Sequence, residues 1–249
     1  MAGLLAAFEV SIGNYLFRNQ ALTGPGAFTV GLSVNGSSEL ASQYGYARTA
    51  VTMGAHGTAT INNSAAITFP ACSSTTWGTV SHMAAFTAAG VQMTDWQAVT
   101  TGKAIGVGDV AEFAIGAFTV TWTTGLAAAY AGDVLEYLFK ATALPGNGQP
   151  ATVYVGVSTD GATEITGNGY VRKACAFTDN TDGSFKNTSI ITHATNTGSN
   201  WGHITHVAIF DAESTGAQMT AWTELPNHVD IAVGDTLKHA AEVITINID

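Results

Sequence analysis

Two kinds of periodicity alternate along this chain, and the pair of them occurs twice. Leu4, Leu5, Phe8, Ile12, Tyr15 and Leu16 fall at three- and four-residue spacings, the apolar stripe of an amphipathic helix. Leu126, Tyr130, Val134, Tyr137 and Leu138 repeat that pattern in the second half. Gly24-Pro25-Gly26 and Pro145-Gly146-Asn147-Gly148 then break each helix.

Beyond each break the period falls to two. Ala27–Val34 and Ala151–Thr159 read as strands that end at the turn dipeptides Asn35-Gly36 and Asp160-Gly161. Tyr46–Met53 and Tyr170–Phe177 read as second strands. Ile61, Ile67 and Phe69 mark further short strands, as do Phe185, Ile190 and Ile191. Val80–Phe86 and Ile204–Phe210 alternate as half-buried strands do, and Phe118–Trp122 and Val243–Ile248 close the two halves. Short strands separated by turn signals predict a mainly β chain of two tandem β-sandwich, jelly-roll-like domains, each preceded by one α-helix.

The two halves are copies. Gly45-Tyr46-Ala47-Arg48 returns as Gly169-Tyr170-Val171-Arg172, and Asn63-Ser64-Ala65-Ala66-Ile67-Thr68 returns as Asn187-Thr188-Ser189-Ile190-Ile191-Thr192. Trp77-Gly78 with His82 and Phe86 returns as Trp201-Gly202 with His206 and Phe210, all three matches at an offset of 124 residues. Gln92-Met93-Thr94 with Trp96 and Val107-Gly108-Asp109 recur at 126, and Tyr15-Leu16-Phe17-Arg18 recurs as Tyr137-Leu138-Phe139-Lys140 at 122. Collinear matches over the whole length establish a duplication, with the small drifts as loop insertions. The expected division is 1–123 and 124–249, each a helix plus a β-sandwich.

Composition narrows the function classes. Of 249 residues, 46% are apolar and only 10% are charged, against roughly 25% charged in ordinary soluble domains. The remaining surface is then Ser, Thr, Asn and Gly, which packs laterally without burying charge. A net charge of −10 with 8 scattered basic residues argues against nucleic acid, which needs clustered cations. No stretch reaches the ~20 apolar residues of a membrane span, and Glu9 interrupts the apolar run at a start that lacks a basic region, a poor signal peptide. Those features predict a protein made soluble in a cytoplasm, with Cys72 and Cys175 reduced.

Candidate chemistry is sparse. His203-x-x-His206 is the one close histidine pair, but on a strand an odd separation sends the rings to opposite faces, and Thr79 replaces His203 in the first copy. His82 and His206 read instead as structural histidines near a sheet edge. Asp179-Asn180-Thr181-Asp182-Gly183 resembles a calcium loop but lacks its closing Glu, so a turn is expected. Asp109 and Asp235, each after Gly, read as turn residues before the last strands. The acidic residues are otherwise scattered, and no nucleophile elbow, P-loop or dinucleotide fingerprint occurs. No enzyme, metal or cofactor is implied.

The chain resembles a family of small bacteriophage structural proteins of virion or tail-fibre-like type. The resemblance rests on Asn14-Tyr15-Leu16-Phe17, Phe28-Thr29-Val30-Gly31-Leu32, Gly45-Tyr46-Ala47-Arg48, the segment 63–70, Trp77-Gly78-Thr79-Val80 and Val107-Gly108-Asp109. In the second copy it rests on Ala151–Gly156, Gly169–Arg172, Ile209–Ala212, Val233–Thr236 and Thr245–Asp249. It implies a virion location, no catalytic residue, and contact with the major capsid protein or other virion proteins. The expected role is a capsid decoration or cement protein bridging capsomers, as a homo-oligomer on the virion. A tail fibre or tail knob adhesin is the first alternative. The second is a carbohydrate-binding module stacking sugars on Trp77, Trp96, Trp201 and Trp222.

Tyr15, Phe17, Trp77, Phe86, Tyr137, Phe139, Trp201 and Phe210 are expected in the cores of their own repeats. Arg48 and Arg172 are the repeated polar contacts, made either to a carboxylate of the same repeat or to a neighbouring subunit. Truncating Trp201 to Ala should cost roughly 3–5 kcal/mol in urea unfolding if it is core. A folded variant of unchanged stability that loses a partner would make Trp201 a contact residue instead.

Overall fold

The computed structural model describes residues 4–20, 22, 28–123, 125–140, 144, 150–180 and 184–248, with backbone alone at 6–8 and 129. The breaks expected at 24–26 and 145–148 lie outside these residues. Two helices occur among them, α1 (Ala6–Arg18) and α2 (Ala128–Lys140), and every other regular element is a strand. The mainly β tandem architecture is thus present in both halves.

In the first repeat the strands are β1 (Thr29–Ser33), β2 (Thr49–Ala50), β3 (Thr60–Asn62), β4 (Ile67–Ala71), β5 (Gly78–Phe86), β6 (Gln97–Ile105), β7 (Val110–Phe113) and β8 (Thr119–Thr121). They form a four-stranded sheet of order β2-β1-β5-β6 and the two-stranded sheets β3-β8 and β4-β7. The second repeat has β9 (Val153–Ser158), β10 (Lys173–Cys175), β11 (Phe177–Asp179), β12 (Ser184–Asn187), β13 (Ile191–Thr195), β14 (Gly202–Phe210), β15 (Thr223–Ile231), β16 (Thr236–His239) and β17 (Thr245–Asn247). Its sheets are β10-β9-β14-β15, β11-β12-β17 and β13-β16.

The same core spans the sheets of each repeat. Trp77, just before β5, meets Tyr46 edge-on at 5.4 Å and 85°, and Tyr46 stacks on Phe69 of β4. Phe69 in turn meets Phe113 of β7 edge-on at 6.1 Å. In the second repeat Trp201 meets Tyr170 at 5.5 Å and 86°. Trp77, Trp201, Phe86 and Phe210 are buried, and the indole N–H groups donate to the Tyr44 and Asn168 carbonyls at 3.1 Å. Such rings cannot serve as sugar-stacking platforms, which removes half of the proposed carbohydrate surface.

Two of the four nine-residue strands, β6 and β15, escaped the sequence pattern. β6 and β15 each bury only a few positions, because they are the outer strands of their sheets and face solvent. Both also carry a large bulge. Val80 pairs Lys103 but His82 pairs Ala98, so residues 99–102 face Ser81 alone, and residues 225–228 face Thr205 in the same way. The second strands are shorter than the alternation suggested. Tyr46–Met53 contributes only Thr49–Ala50 as strand, since Tyr46 turns inward to the core and leaves the ladder.

α1 ends at a local cap, but both helices pack where periodicity carries no hint. Asn19 adopts a left-handed φ of 52°, and the Gln20 N–H donates back to the Asn14 carbonyl at 3.2 Å, a C-terminal cap on α1. The chain folds as two compact units, unit 1 (Met1–Phe8, Thr23–Thr123, Gly132–Ala143) and unit 2 (Glu9–Leu22, Thr124–Ala131, Leu144–Asp249). Most of α1 therefore belongs to the β domain of the second repeat, and most of α2 to that of the first. The repeat boundary at 123/124 is a boundary of sequence, and the compact units cross it.

In unit 2, Phe17 of α1 lies 5.8 Å from Phe177 and 5.7 Å from Phe185. Gly13 lets α1 come down on Phe185 and Ile248, where a Cβ would collide with the Phe185 ring. Asn14 donates to Asp179 at 2.9 Å, and Arg18 holds Asn14 in place at 2.6 Å. In unit 1, Phe139 of α2 meets Phe28 edge-on at 5.0 Å, and the His56 N–H donates to Glu136 at 3.1 Å. Phe17 and Phe139 are thus buried against the opposite repeat rather than their own. Tyr15 is buried, but Tyr137 is only half-buried, because the stripe of α2 runs through Ala131, Val134, Leu135 and Leu138 and leaves Tyr137 at its margin.

Each helix buries several large apolar side chains, at roughly 1.5–3 kcal/mol apiece. A protease site engineered between Thr123 and Thr124 should consequently give two fragments that stay together. Native mass spectrometry of the cleaved protein should show one species of the parent mass plus water. Separation into two folded halves would show that each repeat keeps its own helix.

Candidate functional site

A cluster of four side chains is built identically in both units. In unit 1, Glu39 accepts from Arg48 through both carboxylate oxygens, at 2.8 Å from Nε and 2.6 Å from Nη2. The Tyr46 hydroxyl donates to Glu39 at 2.8 Å and accepts from the Leu32 N–H of β1 at 2.8 Å. The Arg48 guanidinium lies over Phe86, 3.7 Å from the ring centre. Unit 2 repeats this with Glu164, Tyr170, Val157, Arg172 and Phe210. Arg172 meets Glu164 at 2.8 and 2.7 Å and sits 3.6 Å over Phe210. There Arg172 also donates to the Ala212 carbonyl at 3.0 Å.

The local sequence explains the assembly. The edge strands β2 and β10 pair only with Thr29–Val30 and Val153–Val155, so the Leu32 and Val157 N–H groups of the inner strands β1 and β9 donate to the tyrosine hydroxyls instead. Gly31 and Gly156 leave room for the carboxylate and for the Phe86 or Phe210 ring, where a Cβ would sit within 3 Å of both. Of the two partners open for Arg48 and Arg172, each arginine has the carboxylate of its own repeat. Glu39 and Glu164 are the residues that sequence reading missed. A shared carboxylate 124 or so residues apart could have signalled them, but they sit at different offsets from their arginines, 9 and 8 residues.

The electrostatics make the cluster a lock rather than a reaction centre. Burial and the adjacent Glu39 push the Tyr46 phenol well above its ordinary range, and burial with Glu164 does the same for Tyr170. Each phenol stays protonated and keeps donating. The Arg48 guanidinium is held charged by Glu39. A fixed ion pair with a neutral phenol has no group poised to give or take a proton near neutral pH.

A second repeated device sits in the turns that follow β1 and β9. Asn35 and Asp160 each accept from two backbone N–H groups, at 2.9 and 3.1 Å from Ser37 and Ser38 and at 2.8 Å from Ala162 and Thr163. Those donors hold the Asp160 carboxyl down at about 2. Gly36 and Gly161, at φ 71° and 68°, bring this turn onto the His82 and His206 rings. Each ring is fixed by the preceding hydroxyl, Ser81 at 2.8 Å and Thr205 at 2.7 Å. These histidines are structural supports for the turn.

Elsewhere the polar groups are dispersed or bland. His203 pairs with exposed Asp230 at 2.9 Å and meets His228 edge-on, while His228 faces Glu224 at 3.2 Å. His206 is held separately, so the x-x-spaced histidines do not converge. Among the described residues no group of three or more His, Cys, Asp or Glu could hold a metal ion. The Asp182-Gly183 end of the candidate calcium loop lies outside those residues. A cleft of about 370 Å³ in unit 2 is lined by Arg18, Pro150 and Cys175. Burial pushes the Cys175 thiol up to about 12, so it is not a nucleophile. Cys72 is also a free thiol, buried and donating to the Thr75 carbonyl.

The lock generates a stability test. Tyr170→Phe removes the acceptor of the Val157 N–H and should cost about 1–3 kcal/mol in urea unfolding. A double-mutant cycle on Glu164 and Arg172 should give a coupling larger than the equivalent cycle on Glu39 and Arg48, because Arg172 is the more enclosed of the two. Equal and negligible couplings would reduce both pairs to surface ion pairs.

Among the described residues no helix is long and apolar enough to cross a membrane. No curated protein matches the chain. Residues 4–121 and 125–247 each match the family described as podophage GP4 fiber I protein gp80, and the chain belongs to that bacteriophage family, carrying its unit twice.

Proposed function

We propose that this chain is a non-enzymatic component of the phage virion fibre apparatus, in which two β units serve as rigid attachment modules for other virion proteins. The observation that supports this most is the extent of the family match, which covers both repeats nearly end to end. The internal chemistry agrees with it. The recurrent charged groups are spent on holding turns and edge loops, and the rest of the surface is poor in charge. Such a surface suits lateral packing in an assembly.

Head decoration is the second reading, and one feature favours it. Val107 and Val233 stand exposed, at 59% and 56%, on equivalent turns before β7 and β16. The same small apolar tip is therefore offered twice, which suits two equivalent sites engaged together through effective concentration. Self-association on the virion fits either reading.

Quantitative mass spectrometry of virions separated into heads and tails distinguishes them. The fibre reading expects the chain in the tail fraction at low copy number. Recovery in the head fraction, at a copy number comparable to the major capsid protein, would replace it with the decoration role.

A further inference from the structure

The two units differ at the one place where a difference should be most expensive, the middle of the core. Phe69 and Phe113 of unit 1 lie on β4 and β7, where Ile67 pairs Phe113 across the ladder. The matching pair in unit 2 is Ile191 with His239 on β13 and β16. His193 takes the place of Phe69 and His239 that of Phe113. The geometry is retained. Tyr46 stacks on Phe69 at 6.4 Å and 16°, and Tyr170 stacks on His193 at 6.1 Å and 18°. Phe69 meets Phe113 at 6.1 Å and 85°, and His193 meets His239 at 5.3 Å and 78°.

Two imidazoles thus occupy a phenylalanine-shaped hole. They are 2% and 4% exposed, and neither nitrogen of His193 nor Nε2 of His239 has a well-formed hydrogen bond. A neutral ring fits there as a poor phenylalanine. A charged ring has nothing to hold it, because buried charge needs a partner. Lys173 on β10 repels charge on His193, and a proton on either ring opposes one on the other. Tyr170 is neutral, with its hydroxyl turned to Glu164, and Arg172 neutralises that carboxylate. The Val171 backbone is the one favourable contact of His193.

We propose that the His193–His239 pair is an acid-operated latch in the core of unit 2: one proton taken from solvent by each ring opens the β13–β16 sheet, while unit 1, closed by Phe69 and Phe113, stays shut.

Burial holds both rings down at about 4, against 6.5 for a free imidazole. The sign follows by linkage. The opened chain binds protons more readily than the closed one between these two values, so closure is complete above pH 6.5 and is lost as pH falls from there toward 4. From pH 7 to pH 5 the pair should lower the closed-to-open ratio roughly 500-fold.

Hydrogen exchange of the full chain at pH 7 and pH 5, corrected for intrinsic rates, tests this. Amides of β13 and β16 should lose at least 100-fold more protection than those of β4 and β7. His193→Phe with His239→Phe, which installs the unit 1 pair, should abolish the excess. If that variant does not fold, ¹³C-histidine NMR of the unaltered chain decides: both rings should stay neutral until the sheet opens. Rings that titrate near 6.5 with β13 and β16 still protected would overturn the latch, as would equal loss of protection in both units.

Discussion

An amphipathic helix has to bury its apolar stripe, and in this chain the surface that accepts each stripe belongs to the other repeat. α1 is seated in unit 2 by Phe17 on Phe177 and Phe185 and by the close approach at Gly13. α2 is seated in unit 1 by Phe139 on Phe28 and by the His56–Glu136 contact. A β domain without its helix would expose those aromatic rings to water, at a cost of several kcal/mol. In this chain each β domain completes its core with the helix of the other repeat.

Within that constraint the two units separate what must be kept from what is free to vary. The Glu–Tyr–Arg–Phe lock recurs atom for atom because it satisfies a backbone N–H of an inner strand, a buried phenol and a guanidinium at once. Removing any member strands the others. The bulge on the outer strand recurs too, but its side chains do not: Val99, Thr100, Thr101 and Gly102 in one copy stand where Leu225, Pro226, Asn227 and His228 stand in the other. Apart from buried Leu225, these positions face outward and carry no packing demand, and His203, Glu224, His228 and Asp230 accumulate on that face only in unit 2. The core change from Phe69 and Phe113 to two histidines is of another kind, since it keeps shape while adding a titratable group.

Much of this was legible in the residues. The collinear matches gave the duplication, helical spacing gave α1 and α2, and Asn35-Gly36 and Asp160-Gly161 gave the turns after β1 and β9. Periodicity defines a stripe but not the sheet that receives it, so the exchange of helices could not be read. It also says nothing about which marginal residue, here Tyr137, drifts off the stripe. β6 and β15 were illegible because an outer strand facing solvent on most positions has no apolar alternation to display. Arg48 and Arg172 stood out as a repeated pair, but Glu39 and Glu164 lie in loops whose lengths differ, and the arginine's partner is set by how those loops fold back. The buried histidines gave no signal, because neither His193 nor His239 fell in a strand read from the pattern or in a repeated motif.

The exchange of helices is the claim on which the rest depends, and a photo-crosslink tests it directly. A diazirine-bearing phenylalanine analogue at position 17 of the full chain, irradiated in the folded protein and mapped by mass spectrometry, should label β11 and β12, within residues 177–187. Adducts confined to the strands of the first repeat, residues 29–121, would contradict it and return α1 to its own half of the sequence.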